Sequence, residues 1–246
     1  MIEKSVCQGT TPAMDCILLF DIDGTLVSRS NRGRSAGVRA MSEAAHEMTG
    51  VSRLAEGISF AGATDLDVAR QLLEMGGIKE PTDAQKRQLL DHYITHIRRL
   101  IEADSYVALG SPSVVIPELE RLGAVIGLGT GNVRIGAECK LENAGIANLF
   151  RFDLGGYGDD GHVRADILQT GVERCRPFAR STTAPVIVIG DTPLDVMAAK
   201  AIGAKCIGVP SGSVTSEDLE VAGADGVVKE VSPEMIRMIQ MIQELR

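Results

Sequence analysis

Two carboxylates stand two residues apart in Phe20-Asp21-Ile22-Asp23-Gly24-Thr25-Leu26, directly after the apolar run Cys16–Phe20. A carboxylate so placed can act as a nucleophile and form an aspartyl-phosphate. A second one nearby can serve as general acid and base. The plainer alternative is a pair of loop acids around a turn at Gly24. A second acidic pair follows the apolar run Val186–Ile189, in Gly190-Asp191-Thr192-Pro193-Leu194-Asp195. Thr192 and Pro193 are expected to open a helix, with Asp195 in its first turn, where it would also complement the helix dipole. Four acids converging at one edge repel one another. A hard divalent cation relieves this, and Mg²⁺ suits carboxylates together with waters and a substrate phosphate. A third candidate is Val125-Ile126-Gly127-Leu128-Gly129-Thr130-Gly131-Asn132. The Thr130 hydroxyl and the backbone N–H groups around Gly131 and Asn132 would suit a phosphoryl oxygen at a helix N-terminus. Gly-Thr-Gly is also a common turn.

The elements that must position these residues follow from periodicity. Five short apolar runs read as strands buried on both faces: Cys16–Phe20, Ala124–Leu128, Phe150–Leu154, Val186–Ile189 and Cys206–Val209, with a weaker one at Gly226–Val228. Amphipathic helices are predicted over Val133–Ala144, Asp166–Cys175, Pro193–Ile202 and Pro233–Leu245; the last has Ser232 as cap and Met235, Ile239 and Ile242 on one stripe. Strand alternating with helix predicts a Rossmann-like doubly wound parallel α/β sheet, with ligands at the carboxyl ends of its strands. Between the first two strands lie three helical patterns, Ala36–Met48, Thr64–Met75 and Asp83–Ala103. This stretch far exceeds an ordinary strand-to-helix connection. The expected organisation is a core of residues 1–27 and 108–246 and an inserted helical module of residues 28–107, whose apolar stripes must bury against one another.

Composition excludes several classes. Lysine and arginine number 25 against 33 aspartates and glutamates, a net charge of −8, which argues against nucleic acid as a partner. Tryptophan is absent and aromatics are 3% of residues, so a base-stacking surface is not expected. No apolar run is long enough for a membrane span. The cysteines, Cys7, Cys16, Cys139, Cys175 and Cys206, are odd in number and form no CxxC pair. They read as reduced thiols, and with no signal-peptide pattern in residues 1–14 the expected location is cytoplasmic.

From about residue 16 onward the chain resembles the haloacid dehalogenase-like hydrolase superfamily, and within it the phosphoglycolate phosphatase-like branch. Asp21-Ile22-Asp23-Gly24-Thr25 matches the first family motif, Thr130 the second, and Gly190-Asp191 through Asp195 the fourth. The inserted helices resemble the family's type 1 cap. The resemblance implies a Mg²⁺-dependent phosphatase acting on a small phosphorylated metabolite. Asp21 would be the nucleophile and Asp23 the acid and base. Asp21, the main-chain carbonyl of Asp23 and Asp191 would ligate Mg²⁺, with Asp195 helping directly or through water. Thr130, with Gly131 and Asn132, would bind the phosphoryl group. The family's third motif usually carries a lysine. The only lysine between Gly131 and Gly190 is Lys140, which falls too early, whereas Arg164 stands near the expected place. An arginine can neutralise the nucleophile and bind phosphate, with different geometry from lysine; the alternative is a surface arginine at a helix start. A sugar-phosphate mutase and a non-catalytic ligand-binding relative are the competing readings. A 2-haloacid dehalogenase would leave Asp23 and Asp191 without purpose. A phosphonatase would need a Schiff-base lysine, and the insertion offers only Lys79 and Lys86.

Other candidates carry less. His92 and His96 are four apart on one helix, read as a solvated face rather than a metal pair. Asn31, Arg32 and Arg34 either meet an anionic substrate tail or form an exposed loop. The turn Phe60–Asp65 either attracts an anion or is an ordinary N-cap by Thr64. Met235, Met238 and Met241 read as core filler and helix surface.

Overall fold

The computed structural model describes residues 14–29, 36–102 and 105–244. In chain order its elements are β1 (Ile17–Phe20), β2 (Val27–Arg29), α1 (Ala36–Thr49), α2 (Asp65–Met75), α3 (Asp83–Leu100), β3 (Tyr106–Ala108), α4 (Pro112–Leu122), β4 (Val125–Gly129), α5 (Arg134–Asn143), β5 (Gly155–Gly156), α6 (Arg164–Cys175), β6 (Val186–Gly190), α7 (Pro193–Ala201), β7 (Lys205–Gly208), α8 (Ser216–Ala222), β8 (Gly226–Val227) and α9 (Pro233–Glu244). The main sheet runs β5-β4-β1-β6-β7-β8, with each pairing parallel. Its strands are apolar on both faces because both faces are covered. In β1, Leu18 and Phe20 enter one buried layer and Ile17 and Leu19 the other, as the two-residue period of a strand requires. The first layer also takes residues of α4, α5 and α9, and the second takes residues of α6, α7 and α8. This is a Rossmann-like α/β fold. Strand β1 lies between β4 and β6, where the strand order reverses, and a crevice opens at the carboxyl ends of the three strands.

One expected strand is displaced. Residues 150–154 form no strand; the ladder with β4 begins only at β5, Leu128 opposite Gly155. The apolar residues there plug the core instead. Phe150 meets Phe20 edge-on at 6.4 Å, and the Tyr157 hydroxyl donates to the Phe152 carbonyl at 2.9 Å, which holds the intervening turn. Helices α4 and α8 and the strands β2 and β3 are additional to the sequence expectation.

Between β2 and β3 stand the three helices expected from their stripes. Thr64 caps α2 by accepting from Asp67 N, and Thr82 caps α3 in a reciprocal box with Gln85. Helix α1 packs along α3, burying Ala40, Met41, Ala44 and Ala45 in one cluster with Leu89, Leu90, Tyr93 and Ile97. That cluster is continuous with the sheet layer, and α3 also contacts α5, so the stripes are not buried only against one another. Of the histidines of α3, His92 is partly solvated and His96 is largely covered. His92 Nδ1 lies 2.7 Å from Glu47, and His96, its side chain only 12% exposed, lies between Glu43 and Glu47 of α1. Strands β2 and β3 pair antiparallel, Val27 with Ala108 and Arg29 with Tyr106, so the two ends of the insertion leave the sheet side by side. Met235 is buried, Met238 partly buried and Met241 exposed.

Helix α6 comes so close to β5 that a Cβ at Gly156 would overlap the Ile167 carbonyl oxygen. The obstacle is backbone, which cannot rotate aside. Gly156→Ala is therefore expected to destabilise the chain by about 1–3 kcal/mol in urea unfolding, with α6 displaced. A variant as stable as the wild type would show that this approach does not hold the helix.

Candidate active site

Strand β1 stops at Phe20, and the Asp21 N–H still donates to the Ile189 carbonyl at 2.8 Å. The chain then turns tightly: the Leu26 and Val27 N–H groups donate to the Ile22 carbonyl, both at 2.9 Å, and Gly24 takes a positive φ of 86°. A side chain at Gly24 would overlap the Asp191 carboxylate. Because the strand has ended, Asp21 and Asp23 meet different partners.

Asp21 is buried among acids. Its carboxylate, with those of Asp191 at the end of β6 and Asp195 in the first turn of α7, forms a group in which one oxygen from each lies within 4.8 Å of the others. Arg164, the first residue of α6, enters this group with its side chain 9% exposed. Its Nη2 donates to Asp21 Oδ1 at 2.8 Å and also contacts Asp195 Oδ1. Its Nε is buried with no hydrogen-bond partner among the described residues. Asp195 Oδ2 accepts from Thr192 N at 3.1 Å and Thr192 Oγ1 at 2.7 Å, closing the capping box of α7. Both readings of Asp195, helix cap and member of the acidic group, thus describe the same carboxylate. Asp191 Oδ2 accepts from Ser211 Oγ.

Asp23 faces the other way, into a cleft. Its Oδ2 accepts from Asn132 Nδ2 at 2.8 Å and Lys140 Nζ at 2.5 Å, while 47% of the side chain is open to the cavity. Asn132 Nδ2 also donates to Thr130 Oγ1 at 2.8 Å, and Asn132 Oδ1 accepts from Lys140 at 2.5 Å. Thr130 and Asn132 lie on the turn after β4, with Thr130 N bonded to the Gly156 carbonyl at 3.1 Å. The Gly131 carbonyl accepts from Asp65 N at 2.8 Å, and Asp65 Oδ2 accepts from Val133 N at 2.8 Å. The turn Phe60–Asp65 is therefore both an N-cap and the place where the helical insertion docks on this loop.

The two acids of the first motif sit in opposite fields. Burial pushes the Asp21 carboxyl up to about 6; Arg164 opposes the rise, and Asp195 and Asp23 add to it. Burial and the charge of Asp21 push Asp191 up to about 8. The walls of the cleft would raise Asp23 too, but the Lys140 ammonium and the hydrogen bonds from Lys140 and Asn132 hold it below its ordinary value. Three carboxylates set against one guanidinium are short of about two positive charges, and hard oxygen donors fit Mg²⁺. The Asp23 carboxylate lies outside this acidic group.

Sequence reasoning set Lys140 aside, yet it is the partner of Asp23. Its signal was legible as a lysine on the buried stripe of α5, beside Ala137 and Leu141, since helical side chains reach back toward the N-terminus. Ser211 was also missed. Asn31, Arg32 and Arg34 lie outside the described residues, as does Cys7; Cys16, Cys139, Cys175 and Cys206 form no disulfide among the described residues. No helix among the described residues is long and apolar enough to cross a membrane.

The profile of the haloacid dehalogenase-like hydrolases matches residues 17–203. Among solved structures, the fold is similar to that of a hydrolase from Pseudomonas syringae (TM-score 0.64, 22% identity, 93% of this chain and 99% of that one). It is also similar to a predicted phosphatase from Clostridium acetobutylicum (0.63, 18%, 94% and 100%) and a β-phosphoglucomutase from Clostridium difficile (0.63, 17%, 95% and 100%). No curated protein matches the chain.

A carboxyl whose pKa is raised on folding binds its proton more tightly in the folded chain. Its contribution favours folding below the ordinary value and is lost as pH rises through the raised one. For Asp21 and Asp191 that window runs from 3.8 to about 8. The metal-free protein is therefore expected to lose thermal stability from pH 5 to pH 9. Millimolar Mg²⁺ should raise the melting temperature more at pH 8 than at pH 5, and Asp191→Asn should flatten both effects. Melting curves indifferent to pH and to Mg²⁺ would refute the metal site.

Proposed function

The chain belongs to the haloacid dehalogenase-like hydrolases, and from that premise we propose that it is a Mg²⁺-dependent phosphatase of a small phosphorylated metabolite, a phosphoglycolate-like phosphomonoester. The observation that carries this reading is Asp21 held at the carboxyl end of β1 between Arg164 and two further acids, with a second, oppositely tuned acid two residues on.

Arg164 takes one oxygen of Asp21 and leaves Oδ2 for attack on phosphorus. The bond from Asp21 to phosphorus forms as the ester bond breaks; the arriving phosphoryl charge raises the proton affinity of Asp23, which takes a proton from solvent and gives it to the departing oxygen. Asp23 then accepts a proton from water as that water cleaves the aspartyl-phosphate. The unpartnered Arg164 Nε and the Thr130 hydroxyl are donors for the phosphoryl oxygens. Asp21, the carbonyl of Asp23 and Asp191, with Asp195 directly or through water, would hold Mg²⁺, whose charge offsets that of the phosphoryl group.

Above the site lies a cavity of about 1240 Å³, walled by Arg29, Met41, Ile58 and Phe60 on the insertion side and by Ser211 and Lys229 on the sheet side. Closed ligand sites are usually about 300–1,000 Å³. We assign the helical insertion the role of a cap that closes this space, excludes water and chooses the substrate. A sugar-phosphate mutase is the second reading, favoured by the structural similarity to a β-phosphoglucomutase; it would keep Asp21 and Asp23 but shield the intermediate from water.

Phosphate release from 4-nitrophenyl phosphate, and then from a panel beginning with phosphoglycolate, is expected to need Mg²⁺ and to stop with chelator. Asp21→Asn should abolish it. Asp23→Asn should slow it by about 10²–10⁴-fold. Full activity in Asp21→Asn would remove the nucleophile, whereas sugar-phosphate interconversion without net release would select the mutase.

A further inference from the structure

Lys140 occupies a helix position whose buried neighbours are Gly136, Ala137 and Leu141, and its own side chain is 8% exposed. A buried ammonium is costly unless it is paired, and an apolar side chain of similar length would serve packing at least as well. What it faces is specific: Asp23 Oδ2 and Asn132 Oδ1, each at 2.5 Å, and the Tyr106 ring, its centroid 5.7 Å away.

An ammonium donates and cannot accept, so the Asn132 amide must turn its oxygen toward Lys140. Its Nδ2 then gives one hydrogen to Asp23 Oδ2 and the other to Thr130 Oγ1, both at 2.8 Å. Thr130 Oγ1 accepts a second bond from Asn132 N at 3.3 Å. With both acceptor positions filled, the hydroxyl keeps only its proton to offer. With Asp23 Oδ2 taken by two donors, Oδ1 is the oxygen that can carry a proton.

We propose that Lys140 is a positioning residue for phosphoryl transfer, directing the hydrogen bonds of Asn132 so that Thr130 stands as a donor and Asp23 presents Oδ1 to the leaving oxygen. The inference rests on the phosphatase reading. In the step it serves, the Asp21–phosphorus bond forms, the ester bond breaks and the proton of Asp23 moves to the leaving oxygen. Lys140 keeps its own protons throughout.

The test compares wild type, Lys140→Met, Lys140→Gln and Lys140→Arg on 4-nitrophenyl phosphate and 4-methoxyphenyl phosphate, which are similar in shape but leave as a weak and a stronger base. Help from a general acid matters most for the stronger base, and kcat/KM covers the steps through ester cleavage. The ratio of kcat/KM, nitro over methoxy, is expected to rise about tenfold or more in the methionine and glutamine variants and to return toward the wild-type value in the arginine variant. A residue that only supports the fold would slow both compounds alike. Equal slowing, or none, overturns the inference. The glutamine variant carries the comparison if the methionine variant does not fold. Asp21→Asn separates the two readings. No release by the wild type, or equal release by Asp21→Asn, counts against the phosphatase. A silent Asp21→Asn with an unmoved ratio in the Lys140 variants counts against Lys140 alone.

Discussion

Three carboxylates with one oxygen each gathered within 4.8 Å in a buried place would drive one another apart, and the arrangement of the sheet edge around them is what prevents it. The counter-charge is Arg164, delivered from the first residue of α6 because that helix lies against β5 at a glycine. Asp195 is fixed by the cap of α7, so its charge cannot swing out to solvent. Asp21 is fixed by the parallel ladder, whose last hydrogen bond is its own N–H to Ile189. Two helix starts and two strand ends thus converge on a single electrostatic balance, still short of positive charge.

That balance explains why two acids in one short motif behave as different groups. The chain turns directly after β1, so one is held in the acid-rich pocket and the other in the lysine-bearing cleft. Their proton affinities are moved in opposite directions by neighbours from different parts of the chain. Sequence adjacency supplies both acids to the site, while the turn at Gly24 gives them separate surroundings.

Much of this was legible in the residues. Apolar runs marked five of the six sheet strands to within a residue or two, the weaker run at Gly226–Val228 included, because a strand covered on both faces has no polar alternation to blur it. Phe150–Leu154 misled for the same reason: a run of plug residues looks like a strand when only hydrophobicity is read. Helix α4 carried a readable signature, Pro112 at its start and Gly123 at its end with a φ of 102°, which periodicity alone passed over. Arg164 was found by its distance along the chain from the other motifs. Lys140 was not, since its importance lies in what it faces, and Asp23 is 117 residues away. Ser211 was hidden similarly, in a loop that reaches Asp191 only through the sheet order.

The two-stranded ribbon of β2 and β3 has a consequence for how such a protein can change over time. Arg29 and Tyr106 are cross-strand partners, so the chain departs from the sheet and comes back at neighbouring points. A segment of almost any length or shape can be accommodated between two adjacent ends without altering the register of a single strand beneath. The sheet with its acidic group and the helices standing above it can then be inherited, exchanged and tuned as separate parts. A newcomer must still restore the seams at which the present insertion meets the sheet: the shared apolar cluster, Asp65 on the loop after β4, and the Tyr106 ring beside Lys140.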